Sequence, residues 1–351
     1  MAYLRSQPEI WQQISSRQAE ILQDFTASAQ GKKWKRLLAI GSGSSYNAAC
    51  CVRELYAREL GIDLLPCAPT QAELTLTLYS PADTAVILIS QSGESTSTIS
   101  VLKQVKQHGF FTIALTQVLN STVAKGSDVI VDLACGEENV GPKTKGFTST
   151  VLILQEMAFA LCTTDAQKTR AMQIAAELRT SFALAAERIE KSVVWAHRMS
   201  DTLSTAPHLM LLAEGTNREA MLEGTLKLLE TLYIPATSYE FEEYLHGVHC
   251  SIGSESYLIL VIPDNENRER MLKLAAFNQA HGGKSYIVST GRPTGFDGEL
   301  FLGRVDGRYT ACYDVLLPMQ VVSALVSADK GINCDKPKFP NFNRELGTKN
   351  W

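Results

Sequence analysis

Short apolar runs alternate with helix-length stretches along most of the chain. Leu37-Leu38-Ala39-Ile40 ends in Gly41-Ser42-Gly43-Ser44-Ser45, and residues 46–60 then carry helical spacing. Ala85-Val86-Ile87-Leu88-Ile89 leads into Ser90-Gln91-Ser92-Gly93-Glu94-Ser95 and a helix to about residue 108. Residues 111–115 and 129–133 read as further buried strands. The rhythm restarts at Leu209-Met210-Leu211-Leu212-Ala213, which runs into Glu214-Gly215-Thr216-Asn217 and a helix over 218–233, with later strands at 257–262 and 285–288. Fully apolar strands alternating with helices predict an α/β fold with parallel sheets covered on both faces. The restart predicts two nucleotide-fold-sized units in tandem. Ile10, Ile14, Ile21 and Phe25 predict a helix over 9–29, and residues 148–199, without Pro, predict one long bridging helix. The expected organisation is a helical arm (1–30), a first domain (31–165), a linking helix (166–200), a second domain (201–328) and a polar tail (329–351).

Composition narrows the partners. With a net charge of −4, the chain carries no field able to hold a polyanion, so nucleic acid is not expected. The cysteines lie scattered, mostly in apolar runs and without a Cys-x-x-Cys pair, which argues against zinc and for a reducing, cytoplasmic setting. The first residues lack a basic segment followed by an apolar one, and no apolar run reaches the ~20 residues of a membrane span.

Two turns could carry chemistry. The 41–45 and 90–95 segments both sit where a strand becomes a helix, where unpaired N–H groups and the helix dipole favour an anion. Glycine permits close approach, and serine adds rotatable donors. Two such turns on buried strands favour one shared phosphate over plain serine capping. Neither Gly-x-Gly-x-x-Gly nor a Gly-Lys-Ser/Thr loop is present, so the ligand should be a compact phosphate ester. On the helix over 218–233, Glu223, Lys227 and Glu230 share one face amid leucines. That spacing suits a solvated salt-bridge ladder or, if buried, a proton-transfer group. His246, before Gly247, suits acid–base work. His246 and His249 could also pair on a metal, but no third ligand is suitably spaced, so no metal and no cofactor is expected.

These segments together resemble the SIS (sugar isomerase) family, in particular the isomerase half of glucosamine-6-phosphate synthase and its stand-alone relatives. The resemblance rests on Gly43-Ser44-Ser45-Tyr46-Asn47, Ser90-Gln91-Ser92-Gly93-Glu94-Ser95, Thr144-Lys145-Gly146-Phe147-Thr148, Leu222-Glu223-Gly224-Thr225-Leu226-Lys227-Leu228-Leu229-Glu230 and Glu243-Tyr244-Leu245-His246-Gly247, in family order over almost the whole chain. It implies two tandem flavodoxin-like SIS domains and a homodimer with a shared active site. It implies a sugar phosphate held by Ser44, Ser45, Ser90, Gln91, Ser92 and Ser95, with Gly43, Lys143 and Glu223 lining the sugar. Glu230 would move a proton between C1 and C2, assisted by Lys227. His246 would help open the ring, often in the partner's site. Lys349 is the counterpart of a tail lysine that forms an imine with the ketose. Three departures shape the expectation. No N-terminal Cys or glutaminase segment is present, the tail is longer, and the loop 140–143 is longer by about one residue. Deamination, deglycation or isomerisation of a 6-phosphorylated amino sugar or sugar–amine adduct is therefore expected, not glutamine-dependent synthesis. The alternative is a non-catalytic sugar-phosphate-binding regulator, although the first 30 residues are too few for a helix-turn-helix domain.

Overall fold

The computed structural model describes residues 1–305 and 307–349. It contains two five-stranded parallel sheets, each in its own unit. The first unit comprises Glu9–Asn139, Lys143–Ala175 and the tail from Lys336. The second comprises Met1–Pro8, Val140–Pro142 and Ala176–Asp335.

In the first unit the strands are β1 (Arg36–Ile40), β2 (Asp63–Cys67), β3 (Thr84–Ile89), β4 (Phe111–Thr116) and β5 (Val129–Asp132), ordered β2-β1-β3-β4-β5. In the second they are β6 (Leu209–Ala213), β7 (Ala236–Glu240), β8 (Tyr257–Ile262), β9 (Lys284–Ser289) and β10 (Glu299–Phe301). Their order, β7-β6-β8-β9-β10, is the same topology counted from the first strand of the unit. Both are the flavodoxin-like order, so the architecture is α/β with two tandem units of one kind. The central strands are buried along their length, as their apolar runs require.

Each core forms where helices close a sheet face. In the first unit Leu38, Ile40, Val86 and Leu88 pack with Val101, Val105 and Phe110. Helix Ser44–Leu55 lies against β1 and β2, and Lys145–Ala160, a helix apolar on nearly all sides and buried accordingly, packs on it. Lys145–Ala160 is pinned by Tyr56, whose hydroxyl donates to Leu154 O at 2.7 Å, and by Trp11, whose indole donates to Thr148 Oγ1 at 2.9 Å. In the second unit Met210, Leu212, Leu258 and Leu260 pack with Phe241, Tyr244 and Met271. Gly224 lets helix Gly215–Leu232 lie close to helix Leu317–Asp329, since a Cβ there would stand 3.0 Å from Met319 Cγ. The apolar segment Ala311–Asp329 passes a length-and-composition test for a membrane span, yet 83% of it is buried, as a core helix is. A buried ion pair, Arg188 with Asp314, fixes the long helix to this unit, and Ser181 donates to Asp314 at 2.7 Å.

Two predicted helices are divided. The stretch expected over 148–199 is two helices, Lys145–Ala160 and Asp165–Ser204. A capping box separates them: Gln167 N–H donates to Thr164 Oγ1 at 3.2 Å, and Thr164 N–H donates to Gln167 Oε1 at 3.1 Å. The arm is Ala2–Ser16, Gln18–Ile21 and Gln23–Ala29, interrupted where Arg17 and Leu22 leave helical geometry.

Candidate functional site

In a sheet of this order, ligands collect beyond the carboxyl ends of the strands where the winding reverses. In the first unit that point lies between β1 and β3, and the two serine turns leave those strands. Gly41 keeps the turns close, because a Cβ there would lie 2.6 Å from Ser45 Cβ and 3.3 Å from Ile89 O. Gly43 takes φ 55°, and Ser44 and Ser45 open helix Ser44–Leu55.

The second turn is held more tightly. Gly93 has φ +64°, and a Cβ on it would strike Ser121 Oγ at 1.9 Å. Glu94 is turned outward, accepting from Thr122 N–H at 2.7 Å and Thr122 Oγ1 at 2.8 Å. Its charge therefore braces the loop from behind. Ser90 is buried, and Ser92 Oγ accepts from Glu94 N–H at 3.3 Å. Ser95 begins helix Thr96–Gln107 without capping it; its hydroxyl sits 3.1 Å from Ser97 Oγ instead. Simple serine capping thus does not account for this turn.

A third helix start joins the first two. Gln91 Nε2 stands 2.7 Å from where a Cβ on Gly146 would be, so glycine in Thr144-Lys145-Gly146 makes room for the amide. Gln117 supports the same loop: its N–H donates to Gln91 O at 3.0 Å, and its Oε1 accepts from Cys135 Sγ at 2.9 Å. Burial, with Glu138 nearby, pushes the Cys135 thiol up to about 11, so it stays protonated at neutral pH. The Glu138 carboxylate caps the third helix, accepting from Thr144 N–H at 2.8 Å, Thr144 Oγ1 at 2.7 Å and Gly146 N–H at 2.9 Å. The Lys143 ammonium donates to Glu138 O. Gln117 and Glu138 were missed by sequence reasoning, since an isolated Gln and one of two adjacent Glu carry no pattern. Lys349 lies in the same unit, bridged to Ser95.

The second unit carries the other predicted residues. Glu223 and Lys227 are 0% and 1% exposed, while the Glu230 side chain is 35% exposed. Lys227 Nζ lies 3.1 Å from Glu223 Oε1 and 2.6 Å from Glu230 Oε2. The ladder is therefore not solvated. Burial alone would lower the Lys227 pKa, but Glu223 and Glu230 outweigh it and hold the ammonium above its ordinary value. A permanent cation thus fixes a half-exposed carboxylate.

His246 is exposed, in the turn after helix Phe241–Leu245, and is not brought to Glu230. Ala213 pairs with Glu240 at the carboxyl ends of β6 and β7, where helix Gly215–Leu232 starts; His246 lies beyond that same end. Glu230 is fifteen residues further along the helix, about 22 Å of helical rise, toward the opposite end of the strands. His249 Nδ1 accepts from Gly247 N–H at 3.3 Å, and among the described residues no group of three His, Cys, Asp or Glu gathers to hold a metal. The second unit's own switch point, between β6 and β8, is occupied differently. The Glu214 carboxylate accepts from Asn267 Nδ2 at 2.6 Å and from the Asn265 amide. This crevice thus carries a carboxylate where the first carries serines.

Known proteins agree with this architecture. The SIS domain model matches residues 32–160, which spans β1 to β5 and the buried helix behind them. An isomerizing glutamine–fructose-6-phosphate aminotransferase from Sulfolobus acidocaldarius is 25% identical over 312 residues, covering 88% of this chain and 50% of that protein. The chain thus spans about half the length of the curated relatives it matches. Among solved structures, a candidate phosphosugar isomerase from Clostridium difficile superimposes with a TM-score of 0.88 at 24% identity, covering 99% of this chain and 98% of that one. A glucosamine-6-phosphate deaminase from Thermotoga maritima gives 0.72 at 19% identity, over 94% and 96%. At those identities the two structures speak for the fold. The SIS domain model thus lies on the unit that carries both serine turns, and the same strand order is repeated in the unit after it.

Proposed function

We propose that the chain binds the phosphate of a 6-phosphorylated amino sugar, or sugar–amine adduct, on the turns after β1 and β3 and moves a proton between sugar carbons C1 and C2 through Glu230. The observation that carries this reading is the burial of Lys227 between two carboxylates of which only Glu230 reaches solvent. An exposed carboxylate with a fixed orientation is what abstraction of a carbon-bound proton requires. A tethered phosphate keeps the two reacting carbons in register with it.

The chemistry balances without a redox partner, because aldose and ketose are isomers. The open-chain sugar loses a proton from one carbon to Glu230, passes through an enolamine, and regains the proton at the neighbouring carbon. The resulting imine takes up water and releases ammonia or an amine. Ser44, Ser45, Ser90, Gln91, Ser92 and Ser95 would hold the phosphate, and Gly43 and Lys143 would border the sugar; Glu223, expected there too, is fully buried and instead pairs with Lys227. Lys349 would meet the carbonyl carbon. His246, exposed and at the far end of its own unit from Glu230, has the accessibility needed to serve ring opening in a second copy's site. A homodimer in the cytoplasm completes this reading.

The test is a panel of glucosamine-6-phosphate, galactosamine-6-phosphate, fructoselysine-6-phosphate and glucoselysine-6-phosphate, with sugar and nitrogen products both followed. Glu230→Gln should still bind the sugar turned over by the wild type but lose turnover by about a hundredfold or more. Undiminished turnover removes Glu230 as the base. Binding by the wild type without turnover of any panel member would favour the regulator.

A further inference from the structure

The N-terminus of helix Thr96–Gln107 does not face the second serine turn alone. The tail reaches it: Thr96 Oγ1 donates to Gly347 O at 2.7 Å, Thr96 N–H donates to Thr348 O at 3.2 Å, and Ser95 and Lys349 form an antiparallel bridge. The tail is shaped for this contact. Thr348 N–H donates to Asn343 O at 3.0 Å, Thr348 Oγ1 donates to Asn343 Oδ1 at 2.7 Å, and Gly347 takes φ +58°. A small closed loop thus presents three consecutive residues to one helix end. Otherwise the tail from Lys336 to Lys349 is largely exposed, so little apolar burial holds it down.

We propose that Thr96 is a positioning residue that clasps the tail and thereby holds Lys349 beside the 90–95 turn. A helix's first N–H groups have no partner within the helix. Here one of them is spent on the tail, and the hydroxyl of the same residue doubles the attachment. Valine at this position would keep the shape and the N–H contact but lose the hydroxyl. Serine would keep the hydroxyl. The functional half of the proposal rests on the reading of 90–95 as a phosphate loop and of Lys349 as a reacting group. The clasp itself does not.

The experiment therefore has two arms. In the first, limited trypsin digestion of the full chain without any sugar follows cleavage at Lys338 and Arg344 by mass spectrometry. Thr96→Val should expose the tail about fivefold faster than wild type, the effect of one lost hydrogen bond, and Thr96→Ser should behave as wild type. Equal cleavage of Thr96→Val and wild type overturns the clasp. In the second arm, steady-state kinetics use the panel sugar that the wild type turns over. Thr96→Val should lower kcat in the same direction as Lys349→Met while KM moves less than twofold, and Thr96→Ser should restore kcat. A tail that opens with kcat unchanged overturns the positioning role. If no panel sugar is turned over by wild type, the proposed function fails, and the digestion still decides the clasp.

Discussion

Replacing Lys227 by Met removes the ammonium but keeps a flexible apolar stem of similar length. Glu223, fully buried, then loses the cation 3.1 Å away. Removing one partner of a buried ion pair costs about 3–5 kcal/mol, because the remaining charge is left in a poor solvent. For a unit of this size about 2–4 °C of melting temperature corresponds to each kcal/mol, so the midpoint should fall by roughly 10 °C at pH 7. Glu223→Gln combined with Lys227→Met leaves no buried charge and should recover most of that loss. The sign with pH follows from the raised Lys227 pKa. Its contribution is complete below the ordinary lysine value of 10.5 and fades as pH climbs through the higher folded value. The gap between wild type and Lys227→Met should therefore be flat through neutral pH and narrow only in strongly alkaline solution. Circular dichroism melts of the three proteins, from pH 7 to 11, measure this. A single variant that melts within about 2 °C of wild type, or a double variant no better than the single, refutes the buried triad.

Other substitutions probe the turns and their supports. Gly93→Ala forces a side chain into φ +64° and onto Ser121, so urea unfolding should show a loss of at least about 2 kcal/mol and titration with glucose 6-phosphate should show weaker binding. Glu138→Gln weakens the cap of helix Lys145–Ala160 and should cost about 1–2 kcal/mol in the same unfolding assay. Asp128 is pushed up by burial but held below its ordinary value overall by Lys106 and Thr112. Its contribution is present above the ordinary aspartate value of 3.8 and lost as pH falls through the lower folded value, so Asp128→Asn should flatten the acid limb of the melting profile below that ordinary value.

The interior strands could be read from the chain because burial on both faces leaves an unbroken apolar run. β3, β6 and β8 are of this kind, and β6 and β8 begin and end where the pattern says. The strands that escaped notice, β2, β7 and β10, are sheet edges. An edge strand shields less, so β2 tolerates Pro66, β7 reads Ala-Thr-Ser-Tyr-Glu, and β10 is three residues long. The division between Lys145–Ala160 and Asp165–Ser204 was present as Thr164-x-x-Gln167 but is easily passed over inside a helical composition. At the site, the serine turns were legible because glycine and serine after a strand have a physical purpose. The burial of Lys227 was not, since i,i+3 and i,i+4 charges look alike on a wet helix and in a core. Gln117 and Glu138 act through contacts that close only in three dimensions, and the Thr96 clasp joins positions about 250 residues apart.

The central claim is that Glu230 carries a proton between two sugar carbons. Incubating the wild-type chain and Glu230→Gln with the accepted sugar phosphate in heavy water, and following the C1 and C2 protons by nuclear magnetic resonance, tests it most directly. Deuterium entering at C1 or C2 with wild type but not with Glu230→Gln is the predicted result. Deuterium entering equally with both proteins would contradict the account.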